Sequence, residues 1–240
     1  MIAARDQLIV ALDVSSRAQA QKIVSSLGDS ANFYKVGMQL YTAEGPGIVR
    51  DLVSSGRRVF LDLKYHDIPN TVDSAVREAG QLGASLMTVH GGGGSKMLRA
   101  AIEAARASNP AMKVVAVTVL TSMDEGDLNE VGVPGDLEKQ VVHLADLALR
   151  SGCHGVVSSA REVKALRARL GNEFVIVTPG VRPAGAAHAD QARVVTPAQA
   201  IAAGSTHLVV GRPITAAVNP SEEAGKIVRE IEHASQLLAR

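Results

Sequence analysis

The chain contains few aromatic residues: there is no Trp, and there are three Phe and three Tyr among its 240 residues. Proteins that bind single-stranded nucleic acid stack bases on aromatic side chains, so this scarcity argues against that class. An excess of either charge is also absent, because 25 Lys and Arg residues stand against 24 Asp and Glu residues. Nucleic-acid and membrane-surface proteins usually have a basic excess or patch. We therefore expect no nucleic-acid partner and no membrane partner.

Cysteine and long apolar runs are scarce as well. Cys153 is the one cysteine of the sequence, so no disulfide can form within the chain, which fits a reducing cytoplasm. The N-terminal segment MIAARDQLIVALD has a short apolar run interrupted by Asp13, unlike a signal peptide. No run approaches the roughly 18 apolar residues of a membrane span. These absences predict a soluble, cytoplasmic protein.

What the sequence does contain is a regular alternation of short apolar runs with longer amphipathic ones, and such apolar runs are typical of parallel strands buried on both faces. The predicted strands are Leu8–Leu12, Phe33–Val36, Val59–Leu63, Leu86–Val89, Val114–Leu120, Gly155–Val157, Phe174–Val177 and Leu208–Val210. The predicted helices are Arg17–Leu27, Gly47–Ser55, Thr71–Leu82, Lys96–Ala107, Leu137–Arg150, Arg161–Leu170, Pro197–Ala203 and Ser221–Leu238. Eight such units without a low-complexity linker indicate an α/β protein with a single (β/α)8 TIM-barrel domain over residues 1–240. A doubly wound open sheet is the alternative, but it normally has fewer strands.

Polar residues at the strand ends are the first candidates for chemistry, because a barrel of this type has its active site at the C-terminal ends of its strands. Asp62 and Lys64 lie two residues apart on the third strand, so their side chains share a face. Asp67 follows in the loop, and Lys35 comes from the neighbouring strand. Two acids and two lysines in alternation can be buried while ionised, because each charge compensates for the desolvation of the next. The pattern predicts that Lys64 is an ammonium group, held by carboxylates and ready to donate a proton. The alternative is an ordinary salt bridge at a strand end.

Glycine-containing segments after the last two strands indicate a phosphate site. Gly180 and Gly211 allow backbone N–H groups to approach an anion closely. Barrels commonly bind phosphate with the loops after strands seven and eight and with a short extra helix. Arg212, with such a helix after it, and Arg182 are placed to meet a phosphate dianion. The alternative is that the glycines only form turns, which is the better interpretation of Gly180 taken alone.

The remaining polar segments predict neither a metal nor a cofactor. His90 precedes four glycines, but this run lacks the Lys-Thr end of a P-loop and does not follow the first strand, so we expect a tight strand-to-helix connection with a structural His90. The run Asp124–Asp127 is too short for a calcium loop, and the histidines show no metal-ligand spacing. The longest irregular stretches, Thr121–Gly135 and Gly180–Val195, follow strands and are predicted to be active-site loops.

The segment DLKYHDIPNT, Asp62–Thr71, resembles the signature of the orotidine 5'-phosphate decarboxylase family. Further segments of that family's pattern occur in its order and spacing between Leu8 and Ile231: LIVALD, FYKVG, HGGGG, LTSMDEGDL, VTPGVRP, DQARVVTP and HLVVGRPIT. The resemblance implies an enzyme without a cofactor that converts orotidine 5'-phosphate to uridine 5'-phosphate and CO2, the last step of de novo UMP synthesis. It also implies a homodimer with its sites at the interface.

The resemblance implies roles for individual residues as well. Lys64 would be the proton donor, and Lys35, Asp62 and Asp67 would complete its charged network, with Asp67 reaching in from the partner subunit. The implied substrate-binding residues are Asp13 and the partner's Thr71 at the ribose, Thr121 and Ser122 near the pyrimidine, and Arg182, Gln191, Gly211 and Arg212 at the phosphate or in the loop that closes over it.

Two other functions are compatible with parts of the sequence. A metal-dependent sugar-phosphate lyase or decarboxylase on the same barrel also has an Asp-x-Lys-x-x-Asp string, but by resemblance it has an acid where this chain has Lys35. A lysine at that position would repel a divalent cation. A non-catalytic barrel that binds nucleoside monophosphates would need only the phosphate loops. The charged cluster argues against that function, because such clusters are costly to keep without use.

Overall fold

The computed structural model describes residues 2–183 and 195–238. Within them, eight parallel strands form a closed barrel in which each strand pairs with its neighbours in chain order and β8 closes on β1. The strands are β1 Leu8–Ala11, β2 Phe33–Gly37, β3 Arg58–Tyr65, β4 Leu86–His90, β5 Lys113–Val117, β6 Gly155–Val157, β7 Val175–Pro179 and β8 His207–Val210. The predicted (β/α)8 TIM barrel is confirmed.

Helices cover the outside of the barrel between successive strands. In the described residues they are α1 Ala4–Gln7, α2 Arg17–Leu27, α3 Met38–Glu44, α4 Gly47–Ser54, α5 Pro69–Gln81, α6 Gly94–Ser108, α7 Glu125–Glu130, α8 Leu137–Arg150, α9 Val163–Leu170, α10 Pro197–Ala203, α11 Arg212–Thr215 and α12 Pro220–Leu238. Two short 3-10 turns, Gly28–Ser30 and Gly91–Gly93, precede β2 and α6. None of the helices in these ranges is long and apolar enough to cross a bilayer.

The alternation of side chains along the strands separates two apolar layers. Side chains such as Ile9, Phe33 and Phe60 fill the interior of the barrel, whereas the intervening residues, such as Tyr34 and Leu61, pack outward against the helices. The interior of a barrel is therefore a packed core rather than a pore. The same alternation places the next inward positions of β2 and β3 above this core, where the polar side chains of the site begin.

The structure differs from the predictions mainly in the segment after β5. The strand predicted to extend to Leu120 ends at Val117, because its neighbour β6 ends at Val157 and offers no further pairing. The predicted loop Thr121–Gly135 contains α7. The side chain of Asp124 accepts the backbone N–H of Asp127, and the side chain of Asp127 accepts that of Asp124, which is a capping box that starts the helix.

Candidate active site

A cavity of about 300 Å³ opens at the C-terminal ends of the strands. Apolar side chains of the barrel core, including Phe60 and Val209, form its floor. Its polar wall consists of Asp13, Lys35, Asp62, Lys64, Thr121, Gly180 and Gly211. These residues belong to or follow six different strands, so the barrel brings together residues that lie far apart in the sequence.

Four of these side chains form a line of alternating charge. Lys35 Nζ lies 2.7 Å from Asp13 Oδ1 and 3.9 Å from Asp62 Oδ2, and Lys64 Nζ lies 2.9 Å from Asp62 Oδ1. The side chains of Lys35 and Asp62 are 11% and 15% exposed. Charges this well buried are compensated by partners on both sides, which removes much of the cost of desolvation. Three residues of the predicted network, Lys35, Asp62 and Lys64, therefore lie together, with Asp13 as the second acid.

The direction of Lys64 depends on an unusual backbone. Among the described residues it is the one non-glycine with a positive φ, 52°, and the pairing of β3 with β4 shifts between Leu61 and Tyr65. The backbone N–H of Lys64 donates to Thr88 Oγ1 (2.8 Å), and Thr88 Oγ1 donates to Asp62 Oδ1 (3.1 Å). Thr88 thus joins the backbone of Lys64 to the carboxylate that binds the Lys64 amine.

Asp67 does not complete the charge network within its own chain, where Asp13 is the second acid instead. The Asp67 side chain is exposed, lies outside the cavity lining and accepts the backbone N–H of Ile68 (2.6 Å). The chain leaves the barrel mouth after Tyr65 and enters α5, whose first turn presents Thr71 to solvent. The assignment of Asp67 and Thr71 to a neighbouring subunit's site stays a prediction.

The predicted phosphate residues lie after β7 and β8. Gly180, with φ 75°, and Gly211 line the cavity, and Arg212 begins α11. The short helix expected after Arg212 is confirmed. Arg182 is buried close to Gly180 in the chain. Gln191 lies outside the described residues.

The two predicted pyrimidine residues both line a larger neighbouring cavity of about 740 Å³ at the loop after β5. Thr121 also lines the cavity that contains the charged residues, whereas Ser122 does not. This larger cavity has an acidic wall that includes Asp124, Asp136 and Glu162. Burial raises the pKa of Glu162, against the lowering effect of its hydrogen bond from Ser158.

The family of the chain follows from comparison with known proteins. A family model described as "Orotidine 5'-phosphate decarboxylase / HUMPS family" matches residues 6–227. The chain belongs to this family. A curated "Orotidine 5'-phosphate decarboxylase" of Moorella thermoacetica is 50% identical over 235 residues, 95% of this chain and 93% of the relative. The protein of the same name from Heliobacterium modesticaldum is 49% identical over 234 residues, 95% of this chain and 96% of the relative.

A solved structure supports the same relationship. The crystal structure of orotidine 5'-phosphate decarboxylase from Lactobacillus acidophilus has a TM-score of 0.85 and 41% sequence identity, and the match covers 93% of this chain and 98% of that one. The curated relatives at about half identity carry the name of one enzyme over nearly their whole length. The match therefore concerns the entire barrel and not an isolated motif.

Two residues of this decarboxylase-family site were not predicted. Thr88 is a buried polar residue at an inward position of β4, two residues after Leu86 of the barrel core, and this alternation is a signal in the sequence that could have identified it. Gly37 ends β2, and a Cβ there would lie 2.8 Å from Lys35 Nζ. Nothing in the sequence alone indicates that the lysine side chain folds back over this glycine.

Proposed function

We propose that this chain decarboxylates orotidine 5'-phosphate to uridine 5'-phosphate and CO2, as the last step of UMP synthesis in the cytoplasm. The observation that carries the proposal is the Lys64 ammonium, which is held at 2.9 Å by Asp62 in the mouth of the barrel beside the Lys35–Asp13 pair. Membership of the family and the names of its relatives support the same activity.

The chemistry requires an electrostatic site rather than a covalent one. Loss of CO2 from C6 of the pyrimidine leaves an electron pair on a vinyl carbon that the ring delocalises poorly. A cation that is already fixed in a site shielded from water stabilises this charge without reorganisation. The Lys64 ammonium then donates a proton to C6, which gives the neutral uracil ring and leaves Lys64 as an amine that regains a proton from solvent.

Asp62 has two roles in the proposed mechanism. Its carboxylate fixes the Lys64 amine, and Thr88 holds it by a hydrogen bond at 3.1 Å. It also faces the substrate carboxylate, so like-charge repulsion raises the energy of the bound substrate and is relieved when CO2 leaves. Lys35 limits the cost of burying Asp62, from which it is separated by 3.9 Å.

The remaining parts of the substrate fit the rest of the mouth. Asp13 binds the ribose hydroxyls, Thr121 and Ser122 contact the pyrimidine, and the phosphate is bound on the side of Gly180 and Gly211. Arg182, Gln191 and Arg212 contribute cationic and amide groups to the phosphate or to the segment that covers it. Binding energy at this remote phosphate serves the reacting centre by favouring the closed, reactive arrangement.

Two copies of the chain form the active unit in this proposal. Asp67 and Thr71 are exposed and do not line the cavity of their own chain, and the partner subunit's Asp67 and the partner subunit's Thr71 complete each site. Exposed apolar side chains at the same rim, Met38 at 56% and Ile68 at 66% exposure, support an interface there.

The first experiment is a spectrophotometric assay with orotidine 5'-phosphate in the presence and absence of EDTA. We expect turnover that EDTA does not change. A metal-dependent sugar-phosphate lyase would instead be inactive on this substrate and sensitive to EDTA, and a binding protein would show affinity without turnover. The ammonium of Lys35 between two carboxylates supports the first outcome, because it occupies the position in which a cation would have to bind.

The Lys64→Ala variant tests the assigned proton donor. We expect turnover to fall by a factor on the order of 10^4, a loss typical of removing a general acid that also provides electrostatic stabilisation. The exposed Lys22 of α2 offers a matched control, since Lys22→Ala should retain wild-type turnover. Appreciable activity in a folded Lys64→Ala protein would remove the role assigned to Lys64.

A further inference from the structure

Two histidines beside the charge network have no part in the chemistry above. The imidazole rings of His66 and His90 are stacked, with centroids 5.0 Å apart and planes at 9°. His66 follows Lys64 by two residues in the chain, and His90 is the last residue of β4. A parallel stack of this kind favours one relative position of the two segments, because aromatic rings prefer an offset-stacked arrangement.

The stack lies at the point where β3 separates from β4. Tyr65 pairs with Val89, and the next residue of each segment is one of the two histidines. The pairing just before this point is irregular, and Lys64 has the strained φ of 52° there. A strained residue keeps its conformation only where its surroundings determine it. Thr88 holds Lys64 from the barrel side by a hydrogen bond at 2.8 Å, and the histidine stack holds the same turn from the loop side.

The glycine run after His90 makes room for this arrangement. The backbone N–H of Gly92 donates to His90 Nδ1 (3.1 Å), which fixes the ring and places its proton on Nε2. A Cβ at Gly92 would lie 3.2 Å from His90 Nδ1, and one at Gly93 would overlap Met97 Sδ and lie 3.3 Å from His66 Cδ2. Burial, and then the proximity of His66 and Lys64, lower the pKa of His90, so the neutral form that accepts this bond is favoured. The HGGGG segment therefore has a structural role beside the two histidines, and this role does not depend on phosphate binding.

We propose that the His66–His90 stack is a clamp that positions Lys64 for proton transfer. Both histidines are positioning residues, since neither ring lines the cavity. The proposal rests on the proposed decarboxylase function for its kinetic consequence, but the clamp itself is a property of the folded chain and can be measured without substrate.

The test compares His66→Ala, which removes the ring, with His66→Phe, which keeps a flat ring able to stack on His90. For His66→Ala we expect kcat to fall about tenfold with KM for orotidine 5'-phosphate nearly unchanged, because a small displacement of a reacting group impairs chemistry more than binding. For His66→Phe we expect kcat within about twofold of wild type. The same variants are then examined by hydrogen exchange at the backbone amide of Lys64, whose protection should fall about tenfold in His66→Ala and be retained in His66→Phe.

Each outcome has a defined meaning. Equal kcat in His66→Ala and wild type, equal impairment of both variants, or a change confined to KM would overturn the clamp. If the wild-type protein does not turn over orotidine 5'-phosphate at all, the proposed function fails, and the exchange of the Lys64 amide alone decides on the clamp. Unchanged protection in His66→Ala would then refute it independently of any activity.

Discussion

Lys64 has a strained backbone conformation and makes two hydrogen bonds that hold it in place. A non-glycine residue in the left-handed region costs about 1–3 kcal/mol. The hydrogen bond between its ammonium and Asp62, at 2.9 Å, and the bond from its N–H to the neutral Thr88 hydroxyl, at 2.8 Å, offset a cost of that size. A bond to a charged group contributes about 1.5–3 kcal/mol and a neutral one about 0.5–1.5 kcal/mol. The strain therefore occurs at the residue to which the role of proton donor is assigned.

Gly37 leads to a prediction about the other lysine. Its backbone is extended, with φ −96°, so alanine is conformationally allowed, but the added Cβ would lie 2.8 Å from Lys35 Nζ and 3.4 Å from Asp13 Oδ1. The lysine must move away from its bond to Asp13. We expect Gly37→Ala to lower kcat on the order of tenfold to a hundredfold, as misplacement by a fraction of an ångström to an ångström does. Steady-state kinetics with orotidine 5'-phosphate measure this.

The control for this variant is Gly225→Ala in α12, far from the mouth, where the nearest atom to the new Cβ is Arg229 Nη1 at 3.4 Å. It should keep wild-type kinetics. The Gly37→Ala protein should unfold at nearly the wild-type temperature, because the displaced group is the end of a flexible side chain. Wild-type kcat in Gly37→Ala would mean that the Lys35–Asp13 pair is not required.

At the level of secondary structure, hydrophobic patterning predicted the barrel because buried parallel strands and amphipathic helices leave strong periodic signals. All eight strands were found at their central residues, and differences arise at ends such as Val117 and Tyr65. Helix α3, Met38–Glu44, was missed because it follows β2 without a break in the sequence pattern. The shift in pairing within β3 was also missed, since it depends on side-chain contacts from β4 that the sequence of β3 does not contain.

The site was predictable to the extent that strand ends determine it. The inward positions of β2 and β3 place Lys35 and Asp62 without further information. The partners of Asp13 and Asp67 were not predictable in the same way, because both acids lie in loops whose direction depends on the following helix. Resemblance to a family supplied the roles that geometry within one chain leaves undetermined.

The loop after β8 and the start of α11 lead to a prediction about phosphate binding. Arg212 occupies the first position of α11, directly after Gly211 of the cavity lining. We expect Arg212→Ala to lower kcat/KM for orotidine 5'-phosphate roughly tenfold or more, because a charge-assisted bond to phosphate contributes about 1.5–3 kcal/mol. Both KM and kcat should change, because phosphate binding also favours the closed, reactive arrangement. Steady-state kinetics give both values.

Arg229 of α12 is an exposed arginine and serves as the control, since its replacement removes the same side chain. Arg229→Ala should leave kcat and KM unchanged. A second comparison uses the free nucleoside, orotidine, which lacks the phosphate. Wild type and Arg212→Ala should act on it equally slowly. Wild-type kinetics of Arg212→Ala with the phosphorylated substrate would contradict the assignment of the phosphate side.

In the whole molecule, the residues proposed for the reaction and some of the residues that stabilise the barrel lie at opposite ends of the strands. The charged mouth lies at the C-terminal ends of the strands, and a group of three residues, two of them buried, lies at the opposite end. There the ring of His207 meets Phe33 edge-on, with centroids 6.1 Å apart, and Arg58 lies over the Phe33 ring at 4.2 Å. Changes at this end should affect unfolding and leave the reaction intact.

His207 gives this end of the barrel a pH dependence. Burial, with smaller contributions from the cations of Arg58 and Lys113, lowers the pKa of His207 to about 4. The unfolded chain binds the proton more readily, so the stabilising contribution is complete above about pH 6.5 and is lost as pH falls towards 4. Between pH 7.5 and 5.0 we expect the unfolding free energy to decrease by about 2 kcal/mol more in wild type than in His207→Asn.

Urea unfolding at the two pH values measures the difference. Asparagine can keep a hydrogen bond to Thr206, whose Oγ1 lies 3.0 Å from His207 Nδ1, and it does not titrate. The other histidines with lowered pKa values, His90 and His154, contribute equally to both proteins and cancel. An identical loss of stability in wild type and variant would show that folding does not lower the pKa of His207.

The proposed dimer predicts that two inactive variants restore each other. In a mixed dimer of Lys64→Ala and Asp67→Ala chains, one site lacks both residues, and the other combines an intact Lys64 with the intact partner subunit's Asp67. Random exchange of subunits makes half of the dimers mixed, so activity should rise to about one quarter of wild type.

A mixture of Lys64→Ala with Lys35→Ala is the control, because both lysines belong to one chain's cavity and no mixed dimer then has a complete site. Mass spectrometry of differently tagged chains verifies the exchange. If subunits exchange and the first mixture stays inactive, Asp67 acts within its own chain, and the exposed position it has here would have to change on substrate binding.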